Sequence, residues 1–270
     1  ASDLSGAGFC DVGAAAEVSC SVFAGYDFLG WYEGETLVSG ERTFSYTMPD
    51  REVTLEARTR VSEEMKNFRF TSSAAGCTIS GVVDATAKEI SVPAYASVKD
   101  GAFAGCDSLE SLTLPSMEAE DFLGRYFGAE NYVLNAELVP QSLKSVEIAG
   151  GEEVAEYAFY VCLSLERIAV AESVKKISVA AFYGCTALKS IALPESVEKI
   201  GLYAFRGTSL ESAVIQGEGS WQYSDTDSGT PEVSGDIPAE ELSDPAAAAK
   251  ALSQTYAGFY LLRKTASPDV

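Results

Sequence analysis

An Ala-Phe pair recurs four times in the chain, and the last three copies follow one another at intervals of 23 residues. An aliphatic residue stands four positions before each Ala, and two alternating apolar residues follow nine to twelve positions after it. Spacing of four predicts a short helical or 3₁₀ turn that faces inward, and spacing of two predicts a very short strand with one buried face. Because such a unit cannot bury its apolar side alone, the repeat predicts a stack of units that share one core.

Two columns of the repeat are expected to form this core. The phenylalanine of each pair is predicted to lie inside: Phe103, Phe159, Phe182 and Phe205. A cysteine stands three positions later in three copies, as Cys106, Cys162 and Cys185, and Thr208 takes that slot in the last copy. A slot that accepts Thr favours a small, half-polar residue, so these cysteines are predicted to be buried free thiols and not metal ligands.

Metal and cofactor sites are not expected elsewhere either. The chain has no His and no Cys-x-x-Cys pair, so a zinc site is not expected. Cys10 and Cys20 could pair in an oxidising compartment or remain free, and the spacing leaves both alternatives open.

The repeat unit reads roughly Leu-x-x-Ile-x-Leu-Pro-x-x-Val-x-x-Ile-x-x-x-Ala-Phe-x-x-Cys, and residues 188–205 match it almost throughout. It resembles the BspA-like leucine-rich repeats of bacterial surface proteins. The resemblance implies an α/β solenoid of short strands, which we place at residues 68–217. Thr208 in the Cys column and the shortened loop 149–152 depart from the pattern.

An insertion is predicted at residues 115–140. The matching Leu109 and Leu143 lie 34 residues apart, whereas Leu143 and Leu165 lie 22 apart. The segment carries four aromatic residues, Phe122, Tyr126, Phe127 and Tyr132. They either pack onto the flank of the solenoid or form a binding loop, since long loops on rigid scaffolds often carry recognition.

Smaller units are expected on either side of the solenoid. Residues 1–60 show short alternating strands, and the run from Gly25 to Tyr32 with Met48-Pro49 resembles the divergent internalin-type B-repeat. That resemblance implies a small β-rich, β-grasp-like domain, with Trp31 in its core. Residues 61–67 are polar and are expected to be a linker, and residues 218–266 are expected to be a small α+β cap whose helix begins at Asp244-Pro245.

Composition narrows the function. Among 270 residues, 19 are basic and 40 are acidic, a net charge of −21 that opposes nucleic-acid binding. The absence of His excludes Ser-His and Cys-His catalysis, and no phosphate-binding glycine motif occurs. We therefore expect no catalytic residues, no cofactor and no enzyme. No apolar run is long enough to span a bilayer, so membrane insertion is not expected.

Two functions remain as hypotheses. In the first, the chain is a recognition or adhesion module of a secreted or cell-surface bacterial protein, monomeric, and binds a protein or glycan on a host or neighbouring cell. Tyr, Trp and Arg dominate binding hot spots, so Arg167 joins the four aromatic residues of the insertion as a candidate contact. In the second, the chain is a structural spacer in a larger wall-attached protein and has no ligand of its own.

Overall fold

A computed structural model describes residues 2–118, 120–227 and 234–264. The chain divides into two compact units, residues 1–83 with 95–98 and residues 84–94 with 99–270. The strands of the first unit are β1 Ser2–Ser5, β2 Ala15–Val22, β3 Tyr26–Glu33, β4 Thr36–Ser39, β5 Thr43–Thr47, β6 Glu56–Val61, β7 Phe68–Ser73, β8 Gly76–Val82 and, from its second segment, β10 Ala96–Val98.

The first unit is β-rich. Its strands form three three-stranded sheets, in the orders β1-β2-β5, β4-β3-β6 and β10-β8-β7. Val18 and Cys20 alternate on the inner face of β2 and pack with Trp31, which is only 2% exposed. Trp31 therefore lies in the core of this unit, as the sequence predicts.

The polar segment 61–67 is ordered against this unit. It contains a 3₁₀ turn, Glu63–Met65, whose Met65 is fully buried, and the following strands β7 and β8 belong to the same compact unit. The limits 1–60, 61–67, 68–217 and 218–266 thus remain a prediction about which parts fold independently. Of the last range, residues 228–233, 265 and 266 lie outside the described residues.

The second unit contains the repeats. Its strands are β9 Glu89–Ser91, β11 Ser111–Leu114, β12 Ser145–Ile148, β13 Glu153–Val154, β14 Arg167–Val170, β15 Lys176–Ile177, β16 Ser190–Leu193, β17 Lys199–Ile200, β18 Ser212–Ile215, β19 Trp221–Ser224, β20 Ser234–Ile237 and β21 Tyr260–Arg263. Its helices are α1 Asn135–Leu138, α2 Glu240–Ser243 and α3 Pro245–Lys250, with 3₁₀ turns at Leu123–Phe127 and Tyr132–Leu134 and a π-helical segment at Ala251–Thr255.

Parallel strands from successive repeats build two layers of this unit. One layer has the order β14-β12-β11-β9, continued by the pair β16-β18. The short strands β13, β15 and β17 pair in parallel in the other. In the first layer Leu112, Val146 and Ile168 lie in register and are all buried. The solenoid of short-strand repeats predicted from the sequence is confirmed.

The phenylalanine column runs through the centre of the stack. Phe159, Phe182 and Phe205 lie face to face, with ring centroids 5.3 and 5.1 Å apart, and all three are fully buried. These spacings are close to the distance between neighbouring strands of a sheet. Each turn therefore adds one ring to the same column.

The cysteine column has a hydrogen-bonding role. All three of its thiols are fully buried, and Cys185 Sγ donates to the carbonyl of Phe159 at 3.0 Å. In the last copy Thr208 Oγ1 donates to the carbonyl of Phe205 at 2.7 Å. A small side chain with a donor thus finds a backbone carbonyl in this slot in two of the four copies, which is consistent with the replacement of Cys by Thr. Cys10 is exposed and Cys20 is buried, and both are free thiols.

The predicted insertion contains a repeat turn that the sequence pattern does not reveal. Phe103 donates its backbone N–H to Tyr126 O at 2.8 Å, just as Phe159 donates to Ala181 O at 2.7 Å. The ring of Phe127 lies 6.1 Å from that of Phe103. Residues 123–127 therefore form a rung of the stack, and only the residues beyond them interrupt the repeat.

The C-terminal segment extends the second layer beyond the last repeat. Strand β21 pairs antiparallel with β17, and β19 pairs with β21. Asp244 accepts the N–H groups of Ala246 and Ala247 at 3.1 and 2.8 Å, so it caps α3 as its position before Pro245 predicts. Strand β21 therefore covers the edge that β17 would otherwise leave open, and Trp221 is buried on the adjoining strand β19.

Candidate functional site

The structure separates the five candidate contact residues. Tyr126 and Phe127 are 6% and 5% exposed, because they occupy the rung next to Phe103. Burial raises the pKa of Tyr126 well above its ordinary value, with a smaller contribution from the charge of Asp121. Rings so enclosed offer almost no surface to a ligand. The expectation that these two residues contact a ligand therefore has to be corrected.

The remaining candidates lie in different places. Phe122 and Tyr132 are half-buried, and Arg167 is exposed. Arg167 begins β14 and lies in a polar groove with residues such as Ser145 and Lys144. Tyr132 instead contacts turn residues of the second repeat. Arg167 and the insertion aromatics thus do not form one site.

Four half-buried tyrosines form a continuous surface on the turns. The ring of Tyr132 stacks on Tyr157 at 4.1 Å, and meets Tyr160 edge-on at 5.2 Å. Tyr160 in turn stacks on Tyr183 at 5.1 Å. We call Tyr132, Tyr157, Tyr160 and Tyr183 the tyrosine cluster. Within the part of the chain that the structure describes, none of their hydroxyls has a hydrogen-bond partner.

The repeat itself projects three of these rings outward. Tyr157 stands directly before the Ala-Phe pair, in a slot where the first copy has Gly101 and the last has Tyr203. The backbone in this slot is left-handed, with φ of 58° at Tyr157 and 73° at Gly101. A bulky residue is disfavoured there by about 1–2 kcal/mol relative to glycine. Tyr157 and Tyr203 therefore occupy a slot where glycine fits with less strain, and Ala180 fills it in the third copy.

A second outward slot directly follows the Phe of each Ala-Phe pair. It holds Tyr160, Tyr183 and Arg206 in the later copies but Ala104 in the first. The guanidinium of Arg206 lies 5.2 Å from the ring centroid of Tyr203, which is 38% exposed. Tyrosine recurs 23 residues apart in the second slot, at Tyr160 and Tyr183, and 46 residues apart in the first, at Tyr157 and Tyr203, where Ala180 stands between them. This recurrence is a sequence signal that reading only the inward columns overlooks.

The strand face has a different character. Lysine and glutamate pair across successive repeats, with Nζ–Oε1 distances of 2.6 Å for Lys88 and Glu110 and 2.9 Å for Lys189 and Glu211. Outward strand positions are mostly small, such as Ser190 and Ala192. Exposed pairs of this kind contribute little to stability, about 0–1 kcal/mol each. This face is smooth and largely neutralised by its own ion pairs.

The described residues include metal-ligating side-chain types and buried thiols. Among them, no group of three or more His, Cys, Asp or Glu side chains could hold a metal ion. Burial raises the pKa of Cys185 from 9.0 to about 12 and raises that of Cys162 as well, so neither thiol is activated as a nucleophile. No helix among these residues is long and apolar enough to cross a membrane.

Several solved structures are similar to this chain. They include a leucine-rich repeat protein from Eubacterium ventriosum (23% identity, 55% of this chain and 35% of that one, TM-score 0.35) and a leucine rich cell surface protein from Faecalibacterium prausnitzii (22%, 60% and 55%, TM-score 0.35). A third is the leucine-rich repeat protein of T. pallidum (24%, 56% and 69%, TM-score 0.34). The chain spans about a third and about half of the length of the first two. The comparison with curated protein sequences finds no significant match.

A family match covers the repeats directly. Six copies of the BspA type leucine rich repeat region match residues 84–130 and 139–223, about half of the chain. The unmatched gap, 131–138, contains Tyr132, whereas Tyr126 and Phe127 fall inside a matched copy, in agreement with their place in the stack. Leucine-rich repeats of this type are protein-interaction or adhesion modules. The repeat region of this chain therefore belongs to the BspA-type leucine-rich-repeat family.

Proposed function

We propose that this protein is a non-enzymatic recognition module of a secreted or cell-surface bacterial protein, and that it binds a protein or glycan on a host or neighbouring cell. The contact surface is the tyrosine cluster. The observation that carries this proposal is a set of stacked, partly exposed tyrosines with unpartnered hydroxyls, held on the rigid turns of the solenoid.

Tyrosine is well suited to such a surface. Its ring supplies a large contact area with only two side-chain torsions to immobilise, and its hydroxyl can donate or accept a hydrogen bond. In the cluster, each ring is already fixed by its neighbour, so little further entropy is lost when a partner binds. Tyr157 has a left-handed backbone in the slot where the first copy has Gly101 and the third has Ala180, and its ring lies outside the inward columns.

One observation favours the alternative function as a spacer. The strand face presents small side chains and lysine–glutamate pairs that neutralise each other, and the chain as a whole is strongly acidic. A spacer needs only such a soluble, non-adhesive surface. In that case the tyrosine cluster would serve only to pack residues 131–138 against the turns.

The two functions are separated by a variant that gives the later turns the residues of the first. Tyr157→Gly combined with Tyr160→Ala and Tyr183→Ala copies Gly101 and Ala104 into the matching slots. Wild type and variant are applied to an array of host surface proteins, matrix proteins and glycans. We expect wild type to bind at least one ligand and the variant to lose at least about tenfold in affinity, as hot-spot tyrosines do.

Two controls complete the experiment. Tyr95→Ala removes a 42% exposed tyrosine from the other compact unit and should leave binding unchanged. Arg167→Ala tests the strand face instead. Failure of every array ligand to bind wild type would favour the spacer. Loss of binding in Arg167→Ala alone would move the contact surface to the strands.

A further inference from the structure

We propose that the partner of the tyrosine cluster is a basic peptide segment that places arginine side chains against the rings. This inference rests on the proposed function and adds the chemical class of the partner. The local charge, a contact within the chain itself and the stacking of the rings support it.

The surroundings of the cluster are acidic. Glu130 and Glu156 are exposed and lie two and one positions before Tyr132 and Tyr157. Neither belongs to an ion pair among the described residues. The charge of Glu156 adds to burial and to Tyr132 in raising the pKa of Tyr157, so this carboxylate acts on the cluster directly.

Residues 115–140 supply no basic side chain that pairs with Glu130 or Glu156. Arg125 is the only basic residue between positions 115 and 140. Its guanidinium is already engaged, with Nε 2.5 Å from Asp100 and Nη1 3.1 Å from Asp121. The cluster and its two free carboxylates therefore complement a positively charged partner, and the net charge of −21 draws such a partner in.

The chain also shows how a guanidinium sits on this surface. Arg206 occupies the slot that Tyr160 and Tyr183 occupy in the preceding turns, and its guanidinium covers the ring of Tyr203. Among the described residues, no cationic side chain covers the rings of the cluster in the same way. An arginine from a partner would repeat one or two turns earlier the contact that Arg206 makes within the chain.

The charge around the rings favours a guanidinium over an uncharged sugar as the partner. Tyr132 covers one face of Tyr157, and Tyr160 covers one face of Tyr183, with interplanar angles of 9° and 13°. A pyranose could use a remaining face, but it has no charge with which to complement Glu156. A guanidinium needs a single remaining face, and its five N–H donors can also reach the free phenolic oxygens and the carboxylate of Glu156.

The test uses synthetic nonapeptides that carry three arginines, three lysines or three citrullines at the same positions. Citrulline keeps the shape of arginine but has no charge. Affinity for the full chain is measured by fluorescence polarisation at about 0.15 M salt, where long-range attraction is largely screened. We expect the arginine peptide to bind at least about tenfold more tightly than the citrulline peptide, and several-fold more tightly than the lysine peptide.

Variants locate the binding on the chain. Tyr160→Ala with Tyr183→Ala should weaken arginine-peptide binding by at least about tenfold, as loss of stacked cation–π partners predicts. Glu156→Gln should weaken it several-fold, and Tyr95→Ala should have no effect. Thermal unfolding of each variant, followed by circular dichroism, confirms that the fold is intact.

Three results would overturn the inference. They are no measurable binding of the arginine peptide, equal affinity for the arginine and lysine peptides, or unchanged affinity in the Tyr160/Tyr183 variant, which would mean that net charge alone holds the peptide. The proposed function fails separately. If an array ligand depends on the tyrosine cluster but the arginine peptide does not compete with it, recognition stands and only the partner's chemistry is wrong.

Discussion

Truncation of Phe182 tests the central column of the solenoid. The ring is fully buried between Phe159 and Phe205, with centroid distances of 5.3 and 5.1 Å. Phe→Ala in a protein core costs about 3–5 kcal/mol. Because stacked aromatic pairs add about 0.5–1.5 kcal/mol each beyond their buried area, and two such pairs are lost, we expect a value near the upper end, about 4–5 kcal/mol.

The two tryptophans allow this loss to be assigned to the repeats. Trp31 lies in the first compact unit and Trp221 in the second. In a Trp31→Phe background, fluorescence during urea denaturation reports only on the unit that contains Phe182. The free energy of unfolding is then compared, in that background, between the protein that retains Phe182 and the Phe182→Ala variant.

A matched control uses an exposed side chain of the same unit. Leu163→Ala removes a residue that is 41% exposed and should change the free energy of unfolding by less than about 0.5 kcal/mol. A change below about 1 kcal/mol for Phe182→Ala would refute the central position of the ring. It would show that the neighbouring repeats do not depend on one another through this column.

Two further predictions follow from backbone strain and from thiol burial. Val161 has φ of 54° in a slot that holds Gly184 one repeat later. Val161→Gly should therefore stabilise the fold by about 0.5–1 kcal/mol, whereas Gly184→Val should destabilise it by about 1–3 kcal/mol. Urea midpoints that move in the opposite directions would contradict this prediction. Cys10 is the one exposed cysteine among the described residues, so we expect a thiol-specific disulfide reagent to modify it at once at about pH 8 and to reach the others only in denaturant. Because burial raises the pKa of Cys185 from 9.0 to about 12, the unfolded chain loses this proton first, and stability should fall as the pH rises from about 9 towards 12. The free energy of unfolding of the Cys185→Ser variant should fall less steeply over that pH interval. If urea titrations give wild type and variant the same dependence on pH, the Cys185 thiol is not the group responsible.

Much of the architecture follows from short-range patterns. The Ala-Phe turns and the alternating apolar pairs lie within about a dozen residues of each other, and each unit repeats the same local conformation. Stacking is then the only way for such units to bury their apolar sides. The buried Phe182 and Cys185, and the acceptance of Thr208 in the cysteine slot, follow from the same columns.

The rung at residues 123–127 escapes the pattern for a local reason. Tyr126 stands where the other copies have Ala, so the Ala-Phe signature is absent and the turn looks like part of an insertion. It is identified by a bond between distant residues, the N–H of Phe103 with the carbonyl of Tyr126. For this reason two of the aromatic residues predicted to bind a ligand prove to be buried.

The amino-acid sequence by itself determined the repeat, its inward columns and the absence of His-based chemistry, because these depend on residue identity and local spacing. Only the tertiary structure decided which aromatic residues face solvent. Tyr132 meets Tyr157 and Tyr160 because residues 131–138 fold back onto the turns, and Tyr160 meets Tyr183 because successive repeats stack one strand spacing apart. Which rings are covered is set by contacts across 23 or more residues, and no local pattern encodes those contacts.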